Sequence, residues 1–473
     1  MENEFLKKDG IDYISNFYRF QKYKNKKNLY LITTDDGNFL FLKSNELKQL
    51  KKGKLESEGL YDRLHDKGII ITSDNIENII EKTSLKYSFL NNGTSLHIMI
   101  LTHRCNMACS YCFASAKNMD ENYENADMRE ETAQKIVEFI LKSPSRAATF
   151  EFQGGEPLIK FNLIKKIVKQ ANELNKKYKK DIKFALVTNL TLMTKEKANW
   201  LIDNNVSICT SLDGPKKVHD KNRYIQGAVN KKQVGTYEKV TSWIKKINEI
   251  YIEKNINRQV NGLMTITSYS LNYPKEIIDE YLKYNMNYVN IRALTFVGRA
   301  VEKNSLCYTK ENFLRYFEKS LKYIEYLKTE KKIIVTERIV ELYKKKIIEN
   351  TPGYHTEYES PCGAVTGQIT YFIDGKIYTC NEAMGKDEFE IGDVFVDEWS
   401  EVFKRSETSK AILNSMLEQN VICDRCAYKP YCGTCMVENY SRDNKFNFYP
   451  LNTQKHFETI YHANKIFDEI LEK

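Results

Sequence analysis

The chain has 473 residues, 42% of them hydrophobic, and a formal charge of +9. That is more than one domain of ordinary size, with apolar material for a large core. No run approaches the roughly 18 apolar residues of a membrane span, and Met1–Phe5 lacks the basic-then-apolar start of a signal peptide, so a cytoplasmic protein with no membrane partner is expected.

In chain order, residues 1–92 read as a small α+β module. Strand patterns over Asn28–Thr33 and Phe39–Leu42 flank Asp36-Gly37, a hairpin-turn dipeptide. Helical patterns follow over Ser44–Lys51 and Ser57–Asp66, the second closed by Lys67-Gly68. From residue 93 to about 300, strand-like runs recur at His97–Thr102, Thr149–Gln153, Lys183–Thr188, Val206–Leu212, Gly262–Thr267 and Tyr288–Leu294. Helical patterns lie between them at Arg129–Leu141, Leu158–Lys177, Lys195–Asn204 and Tyr237–Ile250. Alternation of this kind predicts parallel βαβ units, here an α/β fold built as a partial, TIM-like (βα)6 barrel. Residues 301–351 form a Lys-rich helical bridge, and 352–473 an irregular, Cys-rich domain.

Three cysteines, Cys105, Cys109 and Cys112, follow the first predicted barrel strand with the spacing C-x3-C-x2-C. Thiolates are the usual ligands of iron–sulfur clusters. Three on one tight loop can hold three irons of a four-iron cluster and leave the fourth open to a small molecule. In a reducing compartment the chain's eleven cysteines read as metal ligands rather than disulfides. The second strand ends in Gln153-Gly154-Gly155-Glu156-Pro157, where paired glycines allow close backbone approach and Glu156 offers a carboxylate for an ammonium group. Asn189 ends the third strand. Ser211 ends the fourth, with His219 and Arg223 beyond it. In α/β barrels these strand ends form one working face. Cys209, inside the fourth strand, reads as core. Cys307 falls in a loop, and His103 reads as packing or capping.

These motifs resemble the radical S-adenosylmethionine (SAM) superfamily over about 95–300. The resemblance implies a [4Fe–4S] cluster on Cys105, Cys109 and Cys112, SAM on the open iron, and a deoxyadenosyl radical that abstracts hydrogen. It places Gly155 and Glu156 at the methionyl amine and Arg223 at the carboxylate. Tyr111, Gln153, Gly154, Asn189 and Ser211 are further cofactor contacts. The remaining cysteines resemble the SPASM extension of peptide-modifying members. Cys362-x12-Gly375-x4-Cys380 fits its first half, and Cys423-x2-Cys426-x5-Cys432-x2-Cys435 its second, with a last gap one residue short. Two auxiliary [4Fe–4S] clusters are implied: Cys362, Cys380 and Cys435 for one, and Cys423, Cys426 and Cys432 for the other. The family's seventh cysteine is absent, and His456 is the candidate substitute.

Within the family the chain is most similar to the His-Xaa-Ser system maturases, through Phe150–Leu158, Ser211–Pro215 with His219, and Phe17–Phe20. That implies a ribosomally made precursor peptide as substrate, its leader added as a strand to the N-terminal module, which resembles the winged-helix-like leader-binding element of such enzymes. The product would be a thioether or carbon–carbon crosslink, or an epimerised centre. An external reductant such as flavodoxin or ferredoxin is also implied. One alternative is an anaerobic sulfatase maturase. Those enzymes use an aspartate after the second SPASM cysteine as base; here Asn381 stands there, and an amide is no base, so Glu382 would have to serve. Another alternative is a non-catalytic zinc–cysteine module on nucleic acid, supported only by charge.

Overall fold

The computed structural model describes residues 6–8, 11–24, 26–91, 93–119, 125–226, 233–351, 356–446 and 449–472. Met1–Phe5, which carried the signal-peptide expectation, lies outside them. The fold is mixed α/β around a parallel sheet. Barrel strands Leu96–Ile100, Ala147–Gln153, Asp181–Thr188, Val206–Ser211 and Asn261–Leu263 lie side by side in chain order, all parallel. Helices Glu130–Leu141, Phe161–Tyr178, Lys195–Asp203 and Tyr237–Glu253 connect them.

Side-chain alternation explains the layering. Ala148, Phe150 and Phe152 of the second strand are fully buried in the core that also takes Ile136, Ile140, Ile164 and Ile167 from the helices. Glu151 and Gln153 turn to the opposite face, where Gln153 donates to the Glu151 carboxylate at 2.5 Å. A sheet that is apolar on its helix side and polar on its inner side makes a cup rather than a solid core.

The fifth and sixth strands are shorter than their hydrophobic runs suggest. The fifth stops at Leu263, and Tyr288–Val289 pairs with Thr336–Glu337 instead of its barrel neighbour. A single parallel bridge, Ile266 to Ala293, continues the order. Side chains take the amides a longer ladder would use: Thr265 N–H donates to Asp213, Thr267 N–H to Ser270, Ile291 N–H to Glu337 and Leu294 N–H to Tyr308.

The Cys-rich segment extends the barrel sheet. Gln368–Tyr371 runs parallel to Leu96–Ile100 on its outer side, followed by antiparallel Lys376–Tyr378 and Glu390–Asp393. This pairing joins residues about 270 apart in sequence. At the N-terminus, Tyr18–Lys22, Leu29–Thr34 and Phe39–Lys43 form an antiparallel sheet, with Gly37 at φ 93° in the turn. Strand Ile11–Ser15, paired to Ile70–Ile71, and helix Ile76–Lys86 had no clear sequence signal. That helix buries none of its residues. The module docks on the segment of Cys423 to Cys432: Arg19 donates to Asp424, Thr33 Oγ1 to Ala427 O at 2.9 Å, and Tyr431 Oη to Gly37 O at 2.9 Å.

Candidate active site

The loop bearing Cys105, Cys109 and Cys112 leaves the C-terminal end of the first barrel strand and is held from three directions. Ala108 N–H donates to Tyr224 O at 2.8 Å and Ser110 N–H to Asn222 O at 2.9 Å, tying it to the segment after the fourth strand. Arg299 donates from its backbone to Cys112 O at 3.0 Å, and from its guanidinium to Cys109 O at 3.4 Å and to Ala116 O. Gly298 sits at φ +58°, where a Cβ would lie 2.5 Å from Cys112 O. Cys105 is buried and the other two are half-buried. Burial pushes the Cys109 thiol up to about 11, opposed by the positive charges of Arg223 and Arg299. The sequence reading missed Gly298 and Arg299. Their only signal was a Gly-Arg pair shortly after the sixth strand run.

The end of the second strand clamps the same loop. A Cβ on Gly154 would lie 2.3 Å from Thr102 O, and one on Gly155 2.1 Å from Arg104 O. Hydrogen bonds close the contact: Gly155 N–H to Thr102 O at 2.8 Å and Glu156 N–H to Arg104 O at 2.9 Å. Glu156 departs from expectation. Its carboxylate is fully buried and accepts Thr188 Oγ1 at 2.6 Å, Asn189 N–H at 2.8 Å and Leu158 N–H at 3.0 Å. With both oxygens so engaged, it ties the second and third strand ends together. Backbone carbonyls are then the acceptors left for an amine at this strand end. Asn189 Nδ2 lies 3.8 Å from Cys105 Sγ and 3.1 Å from Asn106 Oδ1.

Asp213, two residues past Ser211, is the hub of the opposite wall. Its fully buried carboxylate accepts Tyr111 Oη at 2.7 Å, Arg223 Nε at 3.1 Å, Asn222 Nδ2 at 3.1 Å and Thr265 N–H at 3.2 Å. Arg223 is thereby fixed 5.0 Å over the Tyr111 ring, with Nη1 4.0 Å from Cys109 Sγ. The sequence run was legible, but the role of Asp213 was not. His219 supports this wall from within: it is buried and bonded through Nε2 to Thr236 Oγ1 at 3.1 Å. His103 packs as expected, its Nε2 on Ala114 O at 2.8 Å. Cys209 is half-buried on the face of the fourth strand turned away from the apolar core, near Glu151, so it is not the core residue expected. Cys307 donates to Lys303 O and joins no site.

The other cysteines form two further groups. Cys362, Cys380 and Cys435 line one cavity of about 60 Å³, with Arg292 from the barrel and Glu382 and Glu438 from the Cys-rich segment. Arg292 bridges Glu382 and Glu357, each at 3.1 Å. Cys423, Cys426 and Cys432 lie together against the N-terminal sheet, where Cys426 Sγ is 4.0 Å from Gln21 Oε1. His456 does not join them among the described contacts. Its ring packs on Phe457, near Lys310. On the same helix, Gln454–Leu471, it is Thr459 whose side chain lies against Cys432.

Among the described residues, no three His, Cys, Asp or Glu side chains converge as one metal ion requires. Thiolates are the usual ligands of multi-iron clusters, where each binds a separate iron.

A partial barrel with a three-thiol loop at its strand ends defines a cluster-dependent enzyme. Residues 99–279 match the Radical SAM superfamily, and the chain is a radical SAM enzyme. A cysteine-type anaerobic sulfatase-maturating enzyme from Clostridium novyi (strain NT) is 25% identical over 345 residues, 72% of this chain and 86% of that protein. Two solved structures share the fold. "Native anSMEcpe with bound AdoMet" has a TM-score of 0.65 at 20% identity, covering 80% of this chain and 100% of its own. Streptococcus suis SuiB bound to precursor peptide SuiA has a TM-score of 0.54 at 14% identity, covering 91% and 97%. The superfamily's cofactors are SAM and a [4Fe–4S] cluster, and the loop fits them: three thiols, a glycine clamp and a guanidinium beside them. When bound, they supply the radical that removes a hydrogen atom from substrate. Among the described residues, no helix is long and apolar enough to cross a membrane.

Proposed function

We propose that this enzyme modifies a ribosomally made precursor peptide, forming a thioether or carbon–carbon crosslink or an epimerised centre. The observation that carries the reading is the N-terminal sheet. Its outer strand, Tyr18–Lys22, pairs on one side only among the described residues; Phe17 just before it and Phe20 within it are 60% and 40% exposed. An open strand edge with apolar anchors suits a peptide added as a further strand. On this reading residues 1–92 take the leader and 93–300 form the radical-generating barrel. Residues 301–351 bridge to the SPASM domain, 352–473, which holds two auxiliary [4Fe–4S] clusters on its two cysteine groups. Gly155 and Arg223 meet the SAM methionyl group, with Tyr111, Gln153, Asn189 and Ser211 around it. The enzyme works in a reducing cytoplasm with a flavodoxin or ferredoxin.

The test is co-expression with short reading frames neighbouring the gene, followed by mass spectrometry of each peptide. Loss of two hydrogens, or an unchanged mass with a D-residue on hydrolysis, supports the reading. A candidate peptide modified equally well after deletion of residues 1–92 refutes the leader role.

A second reading, sulfatase maturation, has one observation in its favour. Glu382 lines the cavity of Cys380, half-buried and held by Arg292, so a carboxylate does stand where Asn381 cannot act as base. It predicts exchange of a sulfatase cysteine's side-chain sulfur for an aldehyde oxygen, abolished by Glu382→Gln.

A further inference from the structure

Three of the four carboxylates around the Cys362–Cys380–Cys435 cavity are committed. Glu357 pairs with Arg292 at 3.1 Å and Lys455 at 3.6 Å. Glu382 pairs with Arg292 at 3.1 Å. Glu458 accepts Gln454 Nε2 at 3.2 Å and Tyr358 Oη at 3.4 Å. The fourth, Glu438, lines the same cavity at 8% exposure. Its carboxylate forms no hydrogen bond or ion pair among the described residues. Lys455, whose charge acts most strongly on it, is taken by Glu357 and by the face of Tyr358, 3.4 Å away. A buried carboxylate without a partner is costly unless a cation compensates it.

Position supplies the second argument. Cys435 caps helix Met436–Asp443, and Glu438 stands three residues on, its N–H donating to Cys435 Sγ at 3.5 Å. The spacing Cys435-x2-Glu438 equals that of Cys423-x2-Cys426. Two ligands so spaced sit on one turn and reach a common centre. Three cysteines line this cavity, and a four-iron cluster has four irons to ligate.

We infer that Glu438 is the fourth protein ligand of this auxiliary cluster, an oxygen donor on the iron that the three cysteines leave free. The inference rests on the proposed presence of that cluster. It also makes the cavity self-sufficient in ligands without a further cysteine.

The experiment uses the full chain with Cys105, Cys109 and Cys112 all changed to Ala, reconstituted anaerobically with iron and sulfide. Iron content, the electron paramagnetic resonance of the reduced protein and its midpoint potentials are read. Cys380→Ala should remove about four irons per chain. Glu438→Gln should shift the g-values and potential of one cluster, or lose those irons. Glu438→Cys should keep the iron with an altered signal, since a thiolate replaces the carboxylate. If Glu438→Gln leaves iron, signal and potential unchanged while Cys380→Ala strips the cluster, the ligand assignment falls and the cluster stands. If Glu438→Cys fails to hold iron that Glu438→Gln lost, Glu438 is a packing residue and the assignment also falls. If Cys380→Ala changes nothing, the cluster itself is absent and both fall.

Discussion

Gly155→Ala should disable the enzyme without unfolding it. The new Cβ would lie 2.1 Å from Arg104 O and 2.5 Å from Arg104 C, both backbone atoms, where ordinary contact begins at 3.4 Å. Neither atom belongs to a flexible side chain that could swing away. The loop and the strand end must therefore part by more than about 1 Å. Parting strains two hydrogen bonds, Gly155 N–H to Thr102 O and Glu156 N–H to Arg104 O. At about 1 kcal/mol each, that is a loss of about 2 kcal/mol, which a chain of this size survives. Function is more sensitive, because Cys105 immediately follows Arg104. Misplacing a reacting group by 1 Å can cost about 100-fold in rate. The assay is 5′-deoxyadenosine release under dithionite, normalised to iron content, with circular dichroism as the folding control. A Gly155→Ala protein with full iron and undiminished release would refute the clamp.

Three other outcomes are expected. Asp213→Asn turns an acceptor into a donor facing Tyr111, Arg223, Asn222 and Thr265, and strands the Arg223 charge; breaking such a pair costs roughly 3–5 kcal/mol, so both the unfolding midpoint and SAM affinity by calorimetry should drop, with Tyr111→Phe much milder. Arg299→Met removes two guanidinium bonds to the cysteine loop, each worth about 1.5–3 kcal/mol, and should speed iron loss to a chelator by tenfold or more (roughly); an unchanged rate would show the loop to be held elsewhere. Burial holds the His462 imidazole down at about 3 and therefore neutral in the fold, so its stabilisation is complete above the unfolded value of about 6.5 and is lost as pH falls towards 3. His462→Phe should accordingly lose about 2 kcal/mol less stability than the parent between pH 7 and pH 5, measured by urea unfolding at the two values.

Much of this enzyme is legible along the chain because it is local. A cysteine loop, a glycine pair and alternating strand and helix patterns each need only a few neighbouring residues to be meaningful. Cys105, Cys109 and Cys112, and the five parallel strands behind them, follow from spacing and periodicity alone. What spacing cannot carry is how polar groups a hundred residues apart divide their partners. Glu156 looks like a free carboxylate until Thr188 and Asn189 arrive to occupy it, and Asp213 looks like a turn residue until four donors converge on it. His456 and Thr459 lie one helical turn apart, and only the packing of that helix turns Thr459 rather than His456 towards Cys432. The strand Gln368–Tyr371 joins the barrel by pairing with Leu96–Ile100, an edge choice that depends on a completed sheet. Local sequence sets backbone form and the chemistry on offer. Which carboxylate is spent and which remains available depends on desolvation and pairing, and those exist only once the chain has closed on itself.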